Sequence, residues 1–365
     1  MFAPDSFGGT LTAPEAAEAM ADGWRRRAPH DEVVLAPMSD GGPGFVDVLH
    51  ASLGGRLVGV TVVDPYGSET PAAVLVTEDA AYVEAAQACG LQVSQRREPE
   101  RASTYGVGQL VAAAVEAGAR RVVVGLGGTA TNDGGAGCLA ALGATADPTE
   151  ALRGGPATLA ALSGVDLSRA RELTAEVEVV IATDVDNPLL GLRGATNVYG
   201  TQKGIAEERK QTVDGWLQRF ADLTDRRLAN QSGAGAGGGL GFALLLVGGR
   251  RVSGVQLVAD TLGLALLATQ ADLVVTGEGA FDFSSRSGKV PYGVAKVAGE
   301  AIRPCIALAG QVLVGSREMR ALGIESAYSV VDLVGEKAAF TDPRGSLSAL
   351  AERAARTWSR EGRSA

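Results

Sequence analysis

Acidic residues and glycines stand together at five places in this chain, each time directly after an apolar run. Residues 2–4 lead into Asp5-Ser6-Phe7-Gly8-Gly9, and residues 33–37 lead into Ser39-Asp40-Gly41-Gly42. Residues 121–125 open into Leu126-Gly127-Gly128-Thr129-Ala130-Thr131-Asn132-Asp133-Gly134-Gly135. Residues 179–182 run into Thr183-Asp184-Val185-Asp186-Asn187-Pro188, and residues 273–275 into Thr276-Gly277-Glu278-Gly279-Ala280-Phe281-Asp282, then Gly288-Lys289. Glycine lets a backbone turn sharply and lets a ligand approach closely. Asp, Glu, Ser, Thr and Asn supply proton acceptors and oxygen ligands for a hard cation. One such loop is an ordinary strand-to-helix connection whose acid caps a helix. Five in one chain point to a shared site that handles an anion with carboxylates and lysines.

The remaining side chains narrow that chemistry. The chain has only two histidines, His30 after Pro29 and His50 late in a short helix, and neither stands in these loops. Ser-His-Asp and Cys-His nucleophilic chemistry is thereby disfavoured, as is a histidine-rich metal site. Proton transfers fall to carboxylates or lysines, and a carboxylate-rich site favours Mg²⁺. Cys89, Cys138 and Cys305 are odd in number and widely spaced, which reads as small buried residues in a reducing cytoplasm. A formal charge of −9 argues against nucleic-acid and anionic-membrane partners. No stretch is apolar for long enough to span a bilayer, and no signal peptide opens the chain. The expected location is cytoplasmic, the expected partner is a small molecule, and a homo-oligomer is compatible with the sequence.

The glycine patterns alone leave the nucleotide class open. Residues 125–130 fit a loose G-x-G-x-x-A dinucleotide pattern, and residues 233–238 contain G-x-G-x-x-G, yet no acidic ribose partner follows at the usual distance. A P-loop is absent, since Gly288-Lys289 is followed by Val290.

Each loop needs a strand before it and usually a helix after it. Thr12-Ala13-Pro14-Glu15 is a capping box, so a helix starts there and runs to about Arg27, with three arginines at its dipole's negative end. Residues 57–63, 72–76 and 80–84 read as a β-meander, broken by Asp64-Pro65-Tyr66-Gly67 and Thr77-Glu78-Asp79. Residues 103–118 read as a helix, 145–175 as a weakly patterned mobile excursion, and 207–228 as one amphipathic helix. From about residue 255 the strand–helix rhythm returns, with strands at 272–276, 305–309 and 327–331. With the first two strands these make a five-stranded layer. The expected fold is α/β in two domains. Residues 1–58 plus 258–365 form a Rossmann-like parallel-sheet domain from both chain ends, and 59–257 form an inserted α+β domain.

At this point the motifs resemble the type I glycerate kinases over nearly the whole length. The matching stretches are Ala-Pro-Asp-Ser-Phe at 3–7, Ser-Asp-Gly-Gly at 39–42 and Ala-Thr-Asn-Asp-Gly-Gly at 130–135. Others are Asp-Val-Asp-Asn-Pro-Leu at 184–189, Gln-Lys-Gly at 202–204, the glycine run at 233–241, Thr-Gly-Glu-Gly at 276–279 and Gly-Lys-Val-Pro at 288–291. The resemblance implies ATP- and Mg²⁺-dependent phosphorylation of D-glycerate in a cleft between two domains. On this reading Asp184, Asp282, Lys203 and Lys289 are the expected catalytic residues, and Asp184 and Asp186 the expected metal ligands. Asp5, Ser6, Ser39, Asp40, Gly41, Gly42, Gly127, Gly128, Thr129, Thr131, Asn132, Asp133, Gly134, Asn187, Glu278, Gly279 and Gly288 would bind substrate or phosphate. The family usually has Lys at the position of Gly8, Glu at Pro43, Arg at Ala280 and Gln at Ser284. These four departures keep a second expectation alive, a weakened or substrate-shifted relative that binds a nucleotide or another small hydroxy acid. A third, a dinucleotide-dependent enzyme, rests only on the 125–130 pattern.

Overall fold

The structure is a computed structural model, and it describes residues 1–282 and 289–359. The chain divides into two compact units, each with its own apolar core. The terminal unit comprises Met1–Asp40, Asp47–Leu53 and Val255–Ala365, and the inserted unit Gly41–Val46 and Gly54–Gly254. The short segment Gly41–Val46 therefore belongs with the inserted unit, although the flanking chain does not.

In the terminal unit four strands form one parallel sheet, in the order Phe2–Pro4, Val274–Gly277, Cys305–Ala309, Ser326–Ser329. The expected fifth strand at 33–37 is reduced to a single bridge, Phe2 with Leu35. Its hydrogen bonds continue on one side, from Ala36 N to Phe2 O and from Met38 N to Pro4 O. Pro4 has no N–H, so it cannot donate the next rung and the ladder stops. Counting that segment, the order along the sheet is 2-1-3-4-5, with the reversal between Phe2–Pro4 and Val274–Gly277. In open α/β sheets ligands bind outside the carboxyl ends of strands at such a reversal. Helix Ala13–Arg27 starts at the expected capping box, with Thr12 N donating to Glu15 Oε2 at 2.8 Å and Glu15 N to Thr12 Oγ1 at 3.3 Å. It packs on Pro343–Trp358 and covers a core of Phe2, Met20, Trp24, Ile306, Leu308 and Leu350.

The inserted unit is built on six strands in the order Arg56–Val63, Glu69–Val76, Ala81–Glu84, Arg121–Gly125, Glu178–Ala182, Arg250–Val252. The first three are the expected antiparallel meander. The last four run parallel in simple succession, so this sheet has no reversal in its parallel part. Helix Tyr105–Glu116 buries Val107, Leu110 and Val111 against it. The segment 145–175 is not the loose excursion its sequence suggests. A hairpin of Thr145–Asp147 with Gly164–Asp166, two 3₁₀ turns and helix Ser168–Thr174 sink Leu152, Leu159 and Leu162 into the core. Its turns are too short to show a helical period. The stretch 207–228 is also broken. Helix Lys210–Leu223 ends at Thr224, and Asp225 caps the next turn by accepting from Arg227 N at 2.8 Å. All three cysteines are buried and free, and burial pushes the Cys89 and Cys305 thiols up to about 12. No helix among the described residues is long and apolar enough to cross a membrane.

Candidate active site

In the terminal unit the acids gather at the strand-order reversal. Asp5 follows Phe2–Pro4, and its N–H donates to Gly277 O at 2.8 Å, which locks it to the neighbouring strand's end. Its carboxylate accepts from Ser6 N at 2.7 Å. Burial, then the charges of Asp40 and Glu278, push its acid dissociation well above the usual carboxylate range. Glu278 is buried, and its loop is pinned by Gly310 N donating to Glu278 O and Gln311 N to Gly279 O, both at 3.0 Å. Ser39 is buried just before Asp40. Lys289 caps helix Val290–Glu300 and sets its ammonium 3.6 Å from Glu278 and 3.7 Å from Asp282. Asp5, Asp40, Glu278, Asp282 and Lys289 are thus one charged group drawn from four chain segments. Gly288 and Ser284 lie outside the described residues.

The inserted unit treats its loops differently. At Gly127 a Cβ would overlap Gly42 Cα, so the 41–42 and 127–128 turns touch backbone to backbone. At Gly238 (φ +70°) a Cβ would overlap the Thr131 carbonyl, and Gly134 N donates to Gly238 O at 3.0 Å. These glycines serve close packing of one loop on another. Thr131, Asn132 and Asp133 are 0 % exposed. Asp133 is a bracket between helices: it accepts from Thr104 N, Thr104 Oγ1, Gly135 N and Gly137 N at 2.9–3.2 Å. Burial raises its proton affinity and those donors oppose the shift. Asn132 Nδ2 donates to Thr196 Oγ1 at 2.9 Å, while its Oδ1 is buried with no partner.

Lys203 is also interior, 5 % exposed, donating to Thr131 O at 2.7 Å and Thr129 Oγ1 at 3.1 Å. Asn187 is spent on its own loop, accepting from Tyr199 Oη at 2.9 Å and donating to Arg193 O at 2.8 Å. On the same loop Asp184 accepts from Ser253 Oγ at 2.5 Å, which ties the ends of strands Glu178–Ala182 and Arg250–Val252 together, and Asp186 is exposed. Among the described residues no three His, Cys, Asp or Glu side chains converge to cage a metal. A Mg²⁺ carried with phosphates needs only one or two carboxylates, so Asp184 remains a fitting donor.

One feature escaped sequence reasoning. A cavity of about 340 Å³ beside the 64–67 turn is lined by Tyr66, Arg96, Arg101, Tyr105 and Arg153. Arg96 stacks on Tyr66 at 4.9 Å and Arg153 on Tyr105 at 4.2 Å. These residues are scattered through the sequence, so no local pattern announces them.

A parallel α/β protein with acids and a lysine at a strand-order reversal belongs to a broad class of enzymes that act on small anions. The comparisons narrow it. The glycerate kinase family profile matches residues 1–359. The chain is 38% identical over 342 residues to a glycerate kinase of Halalkalibacterium halodurans, covering 91% of this chain and 90% of that one. It is 35% identical over 347 residues to glycerate 2-kinase of Escherichia coli, covering 92% and 91%. A crystal structure of a putative glycerate kinase 2 from Salmonella typhimurium LT2 superposes with a TM-score of 0.80 at 34% identity, over 98% of this chain and 96% of that one. This chain belongs to the glycerate kinase family, and it is a kinase.

Proposed function

We propose that the protein phosphorylates D-glycerate with ATP, and that the carboxyl ends of strands Phe2–Pro4 and Val274–Gly277 hold the reacting groups. One observation carries this reading: Asp5 and Glu278, with Asp40, Asp282 and Lys289, occupy the place where the terminal sheet reverses its strand order. Phosphoryl transfer asks for an anion clamp, a metal and a positioned hydroxyl, and little covalent chemistry. Lys289, held between two carboxylates, can swing to a phosphate or to the glycerate carboxylate. Asp282, 37 % exposed with its carboxylate 3.7 Å from the Lys289 ammonium, suits the acceptor of the glycerate hydroxyl proton. Mg²⁺, when bound with the nucleotide, would supply charge neutralisation at the phosphates.

The test is turnover of ATP with D-glycerate and identification of the phosphoglycerate by phosphorus NMR. Appearance of 2- or 3-phosphoglycerate is expected. Turnover of another hydroxy acid but not of glycerate would instead favour the substrate-shifted reading. Ala280, where the family usually has Arg, is the observation that keeps that reading specific, because Ala280 lies on the same loop as Glu278 and Asp282.

A further inference from the structure

The loop that carries Glu278 and Asp282 in the terminal unit is one side of a second, smaller parallel ladder. Ala280 pairs with Gln311 and Phe281 with Val312. The pairing continues on both sides, through Gln311 N to Gly279 O at 3.0 Å and Leu313 N to Phe281 O at 2.8 Å. Gly310 N donates to Glu278 O, and a Cβ at Gly310 would overlap Gly279 O, so the two segments lie close together. From the far side Val331 N donates to Gly310 O at 3.0 Å and anchors the pair. Successive side chains of a strand point to opposite faces, and paired residues share a face. Phe281 is 0 % exposed, so its face of the ladder is the inner one. Ala280, Gln311 and Asp282 therefore share the other face. Gln311 is half-buried, and its amide makes no hydrogen bond among the described residues. That amide has two donors and an acceptor to satisfy, and leaving them unmade away from water is unfavourable. Its cross-strand neighbour is Ala280, whose methyl group leaves the space beside it open.

We propose that Gln311 binds the carboxylate of the hydroxy-acid substrate and so helps to set which acid is accepted. The proposal rests on the kinase reading above, with Asp282 taking the hydroxyl proton. Neighbouring strands lie ~4.8 Å apart and rise ~3.3 Å per residue, which puts positions 311 and 282 about 8 Å apart on one face. A glutamine and an aspartate reaching toward each other over that span leave room for a three-carbon acid, its hydroxyl toward Asp282 and its carboxylate toward Gln311. An amide N–H suits this task, because it donates to the carboxylate and brings no second negative charge beside Asp282. Lys289, 3.7 Å from Asp282, supplies the positive charge on the same acid group. The backbone of Gln311 is already committed to Gly279, so replacing its side chain leaves the ladder's hydrogen bonds in place.

The experiment compares the full chain with Gln311→Met, which keeps the length and loses the donors, and with Gln311→Glu, which keeps the shape and adds a negative charge. Steady-state rates are measured with ATP and D-glycerate, each substrate varied in turn, alongside the melting temperature. KM of Gln311→Met for D-glycerate should rise ~10-fold, the scale of one lost hydrogen bond to a charged group. KM of Gln311→Glu should rise further, because like charges repel. In both variants kcat and KM for ATP should change less than about three-fold, the pattern of lost ground-state binding. An unchanged KM for D-glycerate in both variants would overturn the proposal. So would a kcat that falls while that KM holds, which would mark Gln311 as a support of the loop only. If the parent does not turn over D-glycerate, the kinase reading fails, and titration calorimetry with D-glycerate decides the proposal by itself. Weaker binding by Gln311→Met than by the parent would uphold it, and equal binding, or none by either, would overturn it. If Gln311→Met does not fold, Gln311→Glu decides by the same readouts.

Discussion

Asp5 and Asp133 look alike in sequence, each an acid followed closely by glycines after an apolar strand, yet the two units use them in opposite ways. Asp133 is fully buried and takes four hydrogen bonds that join the starts of two helices. Among the described residues Asp5 accepts hydrogen bonds from Ser6 alone, and it faces the charges of Asp40 and Glu278. The first arrangement explains itself as architecture, because buried donors that lose their acceptor cost stability. The second works against folding, because like charges repel and burial disfavours the ionised form. Charge that the fold does not resolve is the better guide to where a ligand acts.

The largest effect should come from the group assigned to chemistry. Asp282→Asn keeps the volume but cannot accept the hydroxyl proton, so turnover should fall ~10²–10³-fold with the melting temperature little changed. A near-normal rate would remove Asp282 from the mechanism. Asp133→Ala should do the reverse, destabilising by ~3–5 kcal/mol in urea unfolding as several buried donors lose their acceptor. Asp5→Asn is the direct probe of the contrast. Its carboxyl binds protons more tightly folded than unfolded, so the cost of its charge is absent below the unfolded value of 3.8 and fully present once pH exceeds the raised folded value. At pH 7.5 the Asn variant should be at least as stable as the parent while losing activity. Destabilisation comparable to Asp133→Ala would collapse the distinction between the two units.

A smaller effect concerns Lys203. Its folded value of about 8 lies below the ordinary 10.5, so the unfolded chain holds the proton more tightly between those two values. The burial cost is fully present below pH 8 and is relieved as pH rises toward 10.5. Relative to Lys203→Met, the parent should gain on the order of 2 kcal/mol between pH 7.5 and 9.5, read as a difference in thermal stability. The smallest effect is a gain. Ala280→Arg adds a guanidinium beside Glu278 and should tighten D-glycerate binding up to ~10-fold by titration calorimetry. It is a cleaner variant than Gly8→Lys, because Gly8 sits at φ +51° and a side chain there strains the backbone by ~1–2 kcal/mol. No gain at position 280 would mean that this chain binds the carboxylate by other means.

Strand-end loops, the capping box at Thr12, the meander and the cysteine environment were all legible from local pattern. Each depends on neighbours in the chain: periodicity, capping residues and turn residues act over a few positions. The missing rungs at 33–37 were not legible, because the responsible residue is Pro4, on the partner strand. Nor was the ordering of 145–175, whose leucines find the core through turns with no regular period. The family motifs named candidate residues without saying which way each one is used.

Sequence alone therefore determined the family, the parallel α/β class and the supply of carboxylates, lysines and glycines, since these are written in residue type and spacing. Tertiary structure alone decided that Asp5, Asp40, Glu278 and Lys289 face one another while Thr131, Asn132, Asp133 and Lys203 turn inward. The reason is physical. Whether a polar side chain is satisfied depends on donors and charges brought from tens to hundreds of residues away, such as Thr104 for Asp133 and Glu278 for Asp5.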